Sequence, residues 1–235
     1  MSHVTYVGHV LSAEALSPDS KKVETISKMN YQVSKEELQR YLGIMTYLAK
    51  FIPNMSQISA PLRQLLDKSA DWQWHDEHSK AFDELKKQIT TAPVLQYYDA
   101  TKETVLSVDS SSKGLGAVIL QQEKPIAYAS RALTKAETNY AQIEKEMLAI
   151  AFGCERFHDY LFGHETIKVE TDHKPLESIF KKPIHRAPPR LQRMLLRVQP
   201  YNLTVSYKKG SQLFIADALS RHYLPNEKGR RHRRF

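Results

Sequence analysis

The spacing of apolar residues changes near Pro93, and that change divides the chain. Upstream, Leu38, Tyr41, Leu42, Met45, Leu48 and Ile52 recur at helical spacing until Pro53-Asn54 ends the run. Ser34, with Glu37 three residues later, forms a capping-box pattern at its start. Ile58, Leu62, Leu65 and Leu66 mark a second, short helix. A third runs from about Asp76 through Phe82, Leu85 and Ile89 and closes before Pro93. Such stripes must cover one another's apolar faces, which predicts a small helical unit over residues 30–92 with Trp72 and Trp74 as packing anchors. Before it, Val4 to Val10 reads as a short strand or hairpin, and Ser17-Pro18 opens a short helix through Val23 and Ile26. So few strand residues are not stable without partners. Residues 1–29 are therefore expected to be the end of a preceding domain.

Beyond Pro93 the runs become short and strand-like: Thr104 to Asp109, Leu115 to Gln121 and Pro125 to Ser130, joined by brief connections that favour antiparallel neighbours. One long helix is predicted over 137–160, with Tyr140, Ile143, Met147, Ile150, Cys154 and Phe157 on one face. A strand (Thr166 to Thr171), a short helix (Pro175 to Phe180) and a helix opened by Pro188-Pro189 follow. A strand alternating Leu203, Val205 and Tyr207 and a last helix, Ala216 to Arg221, complete the order. Three antiparallel strands joined to crossover strands predict an α/β fold, a five-stranded mixed sheet flanked by helices, over residues 93–224.

Composition changes this picture little. A chain of 235 residues, 41% apolar and 26% charged, is long enough for one large domain or two small ones. No apolar run approaches the roughly 18 residues that cross a bilayer, and the first residues lack a signal-peptide pattern. The expectation is an intracellular setting, a cytoplasmic particle or the nucleus, without a membrane partner. Cys154 is the single cysteine, which excludes an internal disulfide and a cysteine zinc cluster. The formal charge is +8; Lys228, Arg230, Arg231, Arg233 and Arg234, in a basic tail over 225–235, supply five of these charges and leave +3 for the body. A basic excess is compatible with nucleic acid.

Four acids change the picture more. Asp109 and Asp172 end predicted strands, Glu146 flanks the apolar stripe of the long helix, and Asp217 sits inside the apolar run Phe214 to Leu219. Strand ends are where open α/β sheets place ligands. Acids at an apolar edge are costly unless a cation compensates them, and oxygen donors alone suit Mg2+ or Mn2+ rather than zinc. Glu144 is a rival to Glu146, since its helix angle fits the other flank of the same stripe. Arg190, Arg193 and Arg197 recur opposite Leu191, Leu195 and Val198 as a basic stripe suited to phosphate contact. No glycine-rich phosphate loop of the Walker type and no nucleophile elbow is present, and no Tyr-x-Asp-Asp polymerase turn, so DNA synthesis is not expected of this sequence.

Four segments occur in order: Val108-Asp109-Ser110-Ser111-Ser112-Lys113-Gly114, Ile143-Glu144-Lys145-Glu146-Met147-Leu148-Ala149-Ile150, Glu170-Thr171-Asp172-His173-Lys174-Pro175-Leu176 and Ala216-Asp217-Ala218-Leu219-Ser220-Arg221. Together they resemble the ribonuclease H domain of gypsy-type long-terminal-repeat retroelements and retroviruses. Upstream, Tyr6-Val7-Gly8-His9 resembles the hairpin closing the palm of their reverse transcriptases, and Leu38 to Ile44 with Tyr47 and Phe51-Ile52-Pro53 resembles the thumb or connection. The resemblance implies a ribonuclease H-like fold and hydrolysis of the RNA strand of RNA–DNA hybrids. It further implies two Mg2+ ions (Mn2+ being possible) held by Asp109, Glu146, Asp172 and Asp217, and the palm and fingers of a reverse transcriptase as partners. The family motif favours Glu146 over Glu144. Where members usually carry alanine after the first aspartate, this chain has Ser110, a substrate-contact candidate. Some members place a loop histidine near the scissile phosphate; of His173 and His185, His185 before Pro188 is the better placed. A module that binds nucleic acid without useful catalysis is the alternative; a related transposase or integrase fits the segments less well.

Overall fold

The computed structural model describes residues 3–213. The predicted helix at 216–221, Asp217 and the basic tail lie outside the described residues.

The strands are β1 (Val4–Tyr6), β2 (His9–Leu11), β3 (Ala15–Pro18), β4 (Leu95–Gln96), β5 (Val105–Ser110), β6 (Gly114–Gln121), β7 (Lys124–Ala132), β8 (Ile167–Thr171) and β9 (Leu203–Tyr207). The helices are α1 (Ser20–Ser27), α2 (Lys35–Tyr47), α3 (Met55–Ile58), α4 (Ala60–Gln64), α5 (Asp76–Thr90), α6 (Gln142–Arg156), α7 (His158–Leu161), α8 (Pro175–Phe180) and α9 (Pro189–Val198). β5 to β9 form a mixed five-stranded sheet in the order β7-β6-β5-β8-β9; β5 to β7 are antiparallel, while β8 runs parallel to both β5 and β9. This is the ribonuclease H-like arrangement, with the helical unit ahead of it.

Strand β6 explains how the two parts join. Its run Gly114-Leu115-Gly116-Ala117-Val118-Ile119-Leu120-Gln121 is buried throughout. Successive side chains of a strand point to opposite faces. Leu115, Ala117 and Ile119 join Leu106, Val108, Met147, Ile150 and Cys154 in a core beneath α6 and α9. Val118 and Leu120, with Tyr128 of β7, join Leu38, Met45, Phe51, Phe82 and Leu85 of the helical unit in a second core. The helical unit therefore covers one face of the sheet. Trp72 and Trp74 anchor it as expected: their rings lie 5.9 Å apart, and Trp74 Nε1 donates to Ser79 Oγ at 2.9 Å. Val118→Ala removes two methylenes' worth of contact from the shared core, about 2 kcal/mol. We expect the tryptophan fluorescence transition, which reports the helical unit, to move together with the circular dichroism transition; separate shifts would show that the two layers unfold independently.

The structure extends one expectation and corrects another. The hairpin read at the N-terminus is present as β1 and β2, and it has further partners: β2 also pairs with β3, and β3 pairs with β4 through Leu16 and Leu95. That closing partner arrives from beyond the helical unit, too far along the chain for local pattern to show. The helix expected over 137–160 is also interrupted at both ends. Arg131 donates to both oxygens of Glu137, at 2.7 and 2.9 Å, and Glu137 Oε2 accepts the Thr134 N–H at 2.8 Å. The bound Arg131 holds the Glu137 carboxyl down at about 2. These bonds keep 134–139 in its own turn; Ala141 is extended, and α6 begins only at Gln142. At the far end Phe157 breaks the helix before α7. Cys154 is fully buried as expected, and burial pushes its thiol up to about 12. Among the described residues no helix is long and apolar enough to cross a membrane.

Candidate active site

Two parallel neighbours bring their carboxyl ends to the same edge of the sheet, and each delivers an aspartate there. Asp109 is the penultimate residue of β5, and Asp172 follows β8 directly. Helix α6 lies against β5 and β6, so its inward face presents Glu146 to the same place. One carboxylate oxygen from each of Asp109, Glu146 and Asp172 lies within 4.8 Å of the others. The three are graded in exposure: Glu146 is 1% exposed, Asp109 is half-buried and Asp172 is exposed.

Glu146 is held in place by its neighbours. Ser110 Oγ donates to its Oε1 at 2.6 Å, and Gln142 Nε2, one helical turn earlier, donates to the same oxygen at 2.7 Å. Gln142 also donates to Ser110 Oγ at 3.1 Å, closing a three-membered network. Ser110 is thus turned inward to support an acid. On the other side the chain after β9 passes over Asp172. A Cβ at Gly210 would stand 3.1 Å from Asp172 Oδ2, so a glycine lets the backbone run that close to the carboxylate.

The electrostatics follow from this crowding. Burial pushes the Glu146 carboxyl up to about 7, and the charges of Asp172 and Asp109 add to it against the pull of the Ser110 hydrogen bond. Burial, then Asp172, raises Asp109, opposed by the Ser110 backbone N–H. Among the described residues no lysine or arginine pairs with any of the three. Three converging oxygen donors without a protein cation fit a hard divalent ion. Such a triad could bind a metal.

The structure also separates Glu146 from its rival. Glu144 Oε2 caps the α6 N-terminus through the Ala141 N–H at 3.0 Å and takes the Arg190 guanidinium at 2.8 Å. It faces α9, away from the aspartates. The predicted basic stripe is correspondingly altered. Arg190 pairs with Glu144 and covers the Tyr140 ring at 4.3 Å, and Arg197 pairs with Glu155 at 2.8 and 2.9 Å. Arg193 remains exposed, with no carboxylate partner among the described residues. His185 sits in an exposed turn, Ile184–Arg186, where its carbonyl accepts from Gln192. His173 donates its backbone N–H to Thr171 Oγ1 at 3.2 Å.

One residue of the site carries no signal in the sequence. Gln57 of α3 donates through Nε2 to Ser111 Oγ at 2.6 Å, and Ser111 Oγ accepts the N–H groups of Lys113 and Gly114 at the β5–β6 turn. A Cβ on Gly114 would meet Gln57 Cγ at 3.0 Å, so this glycine allows α3 to approach. The helical unit thereby grips the turn two residues beyond Asp109.

With this geometry in hand, comparison with known proteins is decisive. Residues 74–169 match the RNase H-like domain found in reverse transcriptase. The chain is 36% identical over 226 residues to the retrovirus-related Pol polyprotein from transposon 412 of Drosophila melanogaster, covering 94% of this chain and 18% of that protein. The chain therefore carries an RNase H-like domain found in reverse transcriptase and is similar over nearly its whole length to a retroelement Pol polyprotein. It is also 33% identical, over 94% of its length, to the Tf2-3 transposon polyprotein of Schizosaccharomyces pombe, of which it covers 17%. The chain thus spans less than a fifth of the length of these curated relatives. Its fold is similar to that of the foamy viral protease-reverse transcriptase in two solved structures. In the complex with RNA/DNA hybrid the TM-score is 0.72 at 23% identity, covering 99% of this chain and 31% of that one. In the dRH form with double-stranded DNA it is 0.74 at 24%, covering 88% and 38%.

Proposed function

We propose that this chain is a divalent-metal-dependent ribonuclease H, hydrolysing the RNA strand of RNA–DNA hybrids. The observation that carries the reading is the convergence of Asp109, Glu146 and Asp172 on one point at the strand ends. The foamy viral enzyme, solved with an RNA/DNA hybrid, supports the substrate class. The three acids would hold Mg2+ or Mn2+, with Asp217 as a fourth donor. Bound there, a pair of such ions supplies an activated water and charge stabilisation for phosphodiester displacement. The protein's own residues orient the site: Ser110 and Gln142 fix Glu146, and Gln57 fixes the turn beside Asp109. Arg193 is the arginine of the α9 stripe left for a backbone phosphate, a contact that reads helical shape rather than sequence. The palm and fingers of a reverse transcriptase are the expected protein partner.

The test is cleavage of an end-labelled RNA–DNA hybrid by the full chain with Mg2+, with Mn2+ and with chelator. Metal-dependent cutting of the RNA strand alone supports the reading. Tight hybrid binding without cutting in either metal would replace it with the binding-module alternative. Gln57→Ala tests the positioning residue: kcat is expected to fall roughly fivefold for the loss of one hydrogen bond, about 1 kcal/mol, at nearly constant KM. An unchanged kcat would confine Gln57 to packing.

A further inference from the structure

A second cluster of charge lies on the other edge of the sheet. A cavity of about 510 Å3 opens between the helical unit and the edge strand β7, and its walls include His9, Lys50, Ser56, Arg63, Arg131 and Arg156. No carboxylate lines it. Arg131 is neutralised by Glu137, but Lys50, Arg63 and Arg156 have no acidic partner among the described residues. Arg63 is nevertheless fixed: its Nε donates to Ser59 Oγ at 3.0 Å and Nη2 to Thr46 Oγ1 at 3.2 Å. Among the described residues three buried side-chain polar atoms lack a partner, and two of them, His9 Nε2 and Ser56 Oγ, belong to residues of this wall. Both residues are only 9% exposed. Cations gathered in one concavity with no acid among them repel one another, and an anion seated between them relieves that repulsion. Burial lowers both Lys50 and His9, and the Lys50 charge adds to the lowering of His9.

We propose that this cavity is a phosphate site that takes a backbone phosphate of the nucleic acid whose RNA strand is cut. A held guanidinium, an ammonium and hydroxyls suit a phosphoryl group with several acceptor oxygens. The register supplies the link to the active site. Ser130, in the cavity wall, pairs with Gly116, and Gly116 pairs with Asp109. Two strand spacings, roughly 10 Å, therefore separate the cavity wall from the first acid. A duplex lying across this end of the sheet reaches both. The phosphate assignment stands on the cavity; its source in nucleic acid rests on the nuclease reading.

The experiment uses the full chain carrying Glu146→Gln, in metal-free buffer, so that neither cutting nor the acid site contributes. Pyrophosphate binding is measured by calorimetry, and affinity for a fluorescent RNA–DNA hybrid is measured across a salt series. Lys50→Gln and Arg63→Gln are added singly, with thermal midpoints confirming the fold, and Lys80→Gln on the exposed surface of α5 serves as a charge-matched control. Each cavity substitution is expected to weaken pyrophosphate about tenfold, the loss of one charge-assisted hydrogen bond. Each is also expected to reduce the slope of log affinity against log salt by about 1, one phosphate contact. Pyrophosphate binding lost with an unchanged hybrid slope would overturn the nucleic-acid source and leave a small-anion site. Pyrophosphate binding that is absent, or equal in the cavity variants and the control, would overturn the site itself. Hybrid cleavage by the unsubstituted chain is scored separately, so failure of the nuclease reading is distinguishable.

Discussion

In Asp109→Asn, cleavage of the RNA strand of a hybrid is expected to fall by roughly 10³-fold, about 4 kcal/mol of barrier, while the chain folds and binds hybrid as before. Asparagine keeps the shape of the side chain and the neutral half of its hydrogen bonding. What it removes is one negative donor from a set of three whose oxygens lie within 4.8 Å of one another. Asp172→Asn should match it, because the two aspartates sit at equivalent ends of parallel neighbours and flank the same point. Glu144→Gln is the informative control. Its carboxylate is turned to Arg190 and to the start of α6, so cleavage should stay within about twofold of the unsubstituted chain. Cutting that survives both aspartate substitutions would remove these acids from the chemistry. An effect of Glu144→Gln as large as that of Glu146→Gln would mean that the site is built around a different glutamate.

The second large effect concerns stability and has the opposite sign. Glu146 titrates near 7 in the folded chain against a usual 4.5. Between those values the folded state keeps a proton that the unfolded state has released. The stability contributed by the protonated carboxyl is complete below about pH 4.5 and declines as pH rises through 7. By pH 8 the loss reaches about 3 kcal/mol. Glu146→Gln removes the charge and preserves the acceptor that Ser110 and Gln142 use. In metal-free buffer at pH 8 its melting midpoint should therefore rise by roughly 6–12 °C, with almost no gain at pH 4.5. Magnesium should raise the midpoint of the unsubstituted chain at pH 8 more than that of the variant. A variant no more stable than its parent at pH 8 would show that the three carboxylates do not strain one another. Together the two results describe a site whose charges oppose folding and serve chemistry.

Much of this site was legible in the sequence, for local reasons. Asp109 and Asp172 each end a short apolar run, and a strand followed by an acid is visible without any knowledge of the fold. Glu146 was harder: it and Glu144 both flank the apolar stripe. The structure distinguishes them through Arg190, which approaches from 46 residues away. The basic stripe of α9 was read correctly in spacing, but its purpose depended on acids of another helix, Glu144 and Glu155. The break before Gln142 was hidden because Tyr140 and Ile143 keep helical spacing across it; the Arg131–Glu137 pair that enforces it begins in β7. Gln57 and the cationic cavity were invisible for a similar reason, since both arise where the helical unit meets the sheet. Pattern along the chain shows which face of an element is apolar. It does not show what lies opposite.

The double burial of β6 has a consequence for how this domain can be moved between proteins. Val118, Leu120 and Tyr128 have the helical unit as their cover. A fragment beginning after Pro93 would leave them as a bare apolar sheet face, a surface that invites aggregation. The sheet and its helices are therefore not a free-standing cassette, although the change of pattern at Pro93 makes them look like one. A recombination event that transplants the acids must carry residues 30–92 along, or find a host that already offers a matching lid.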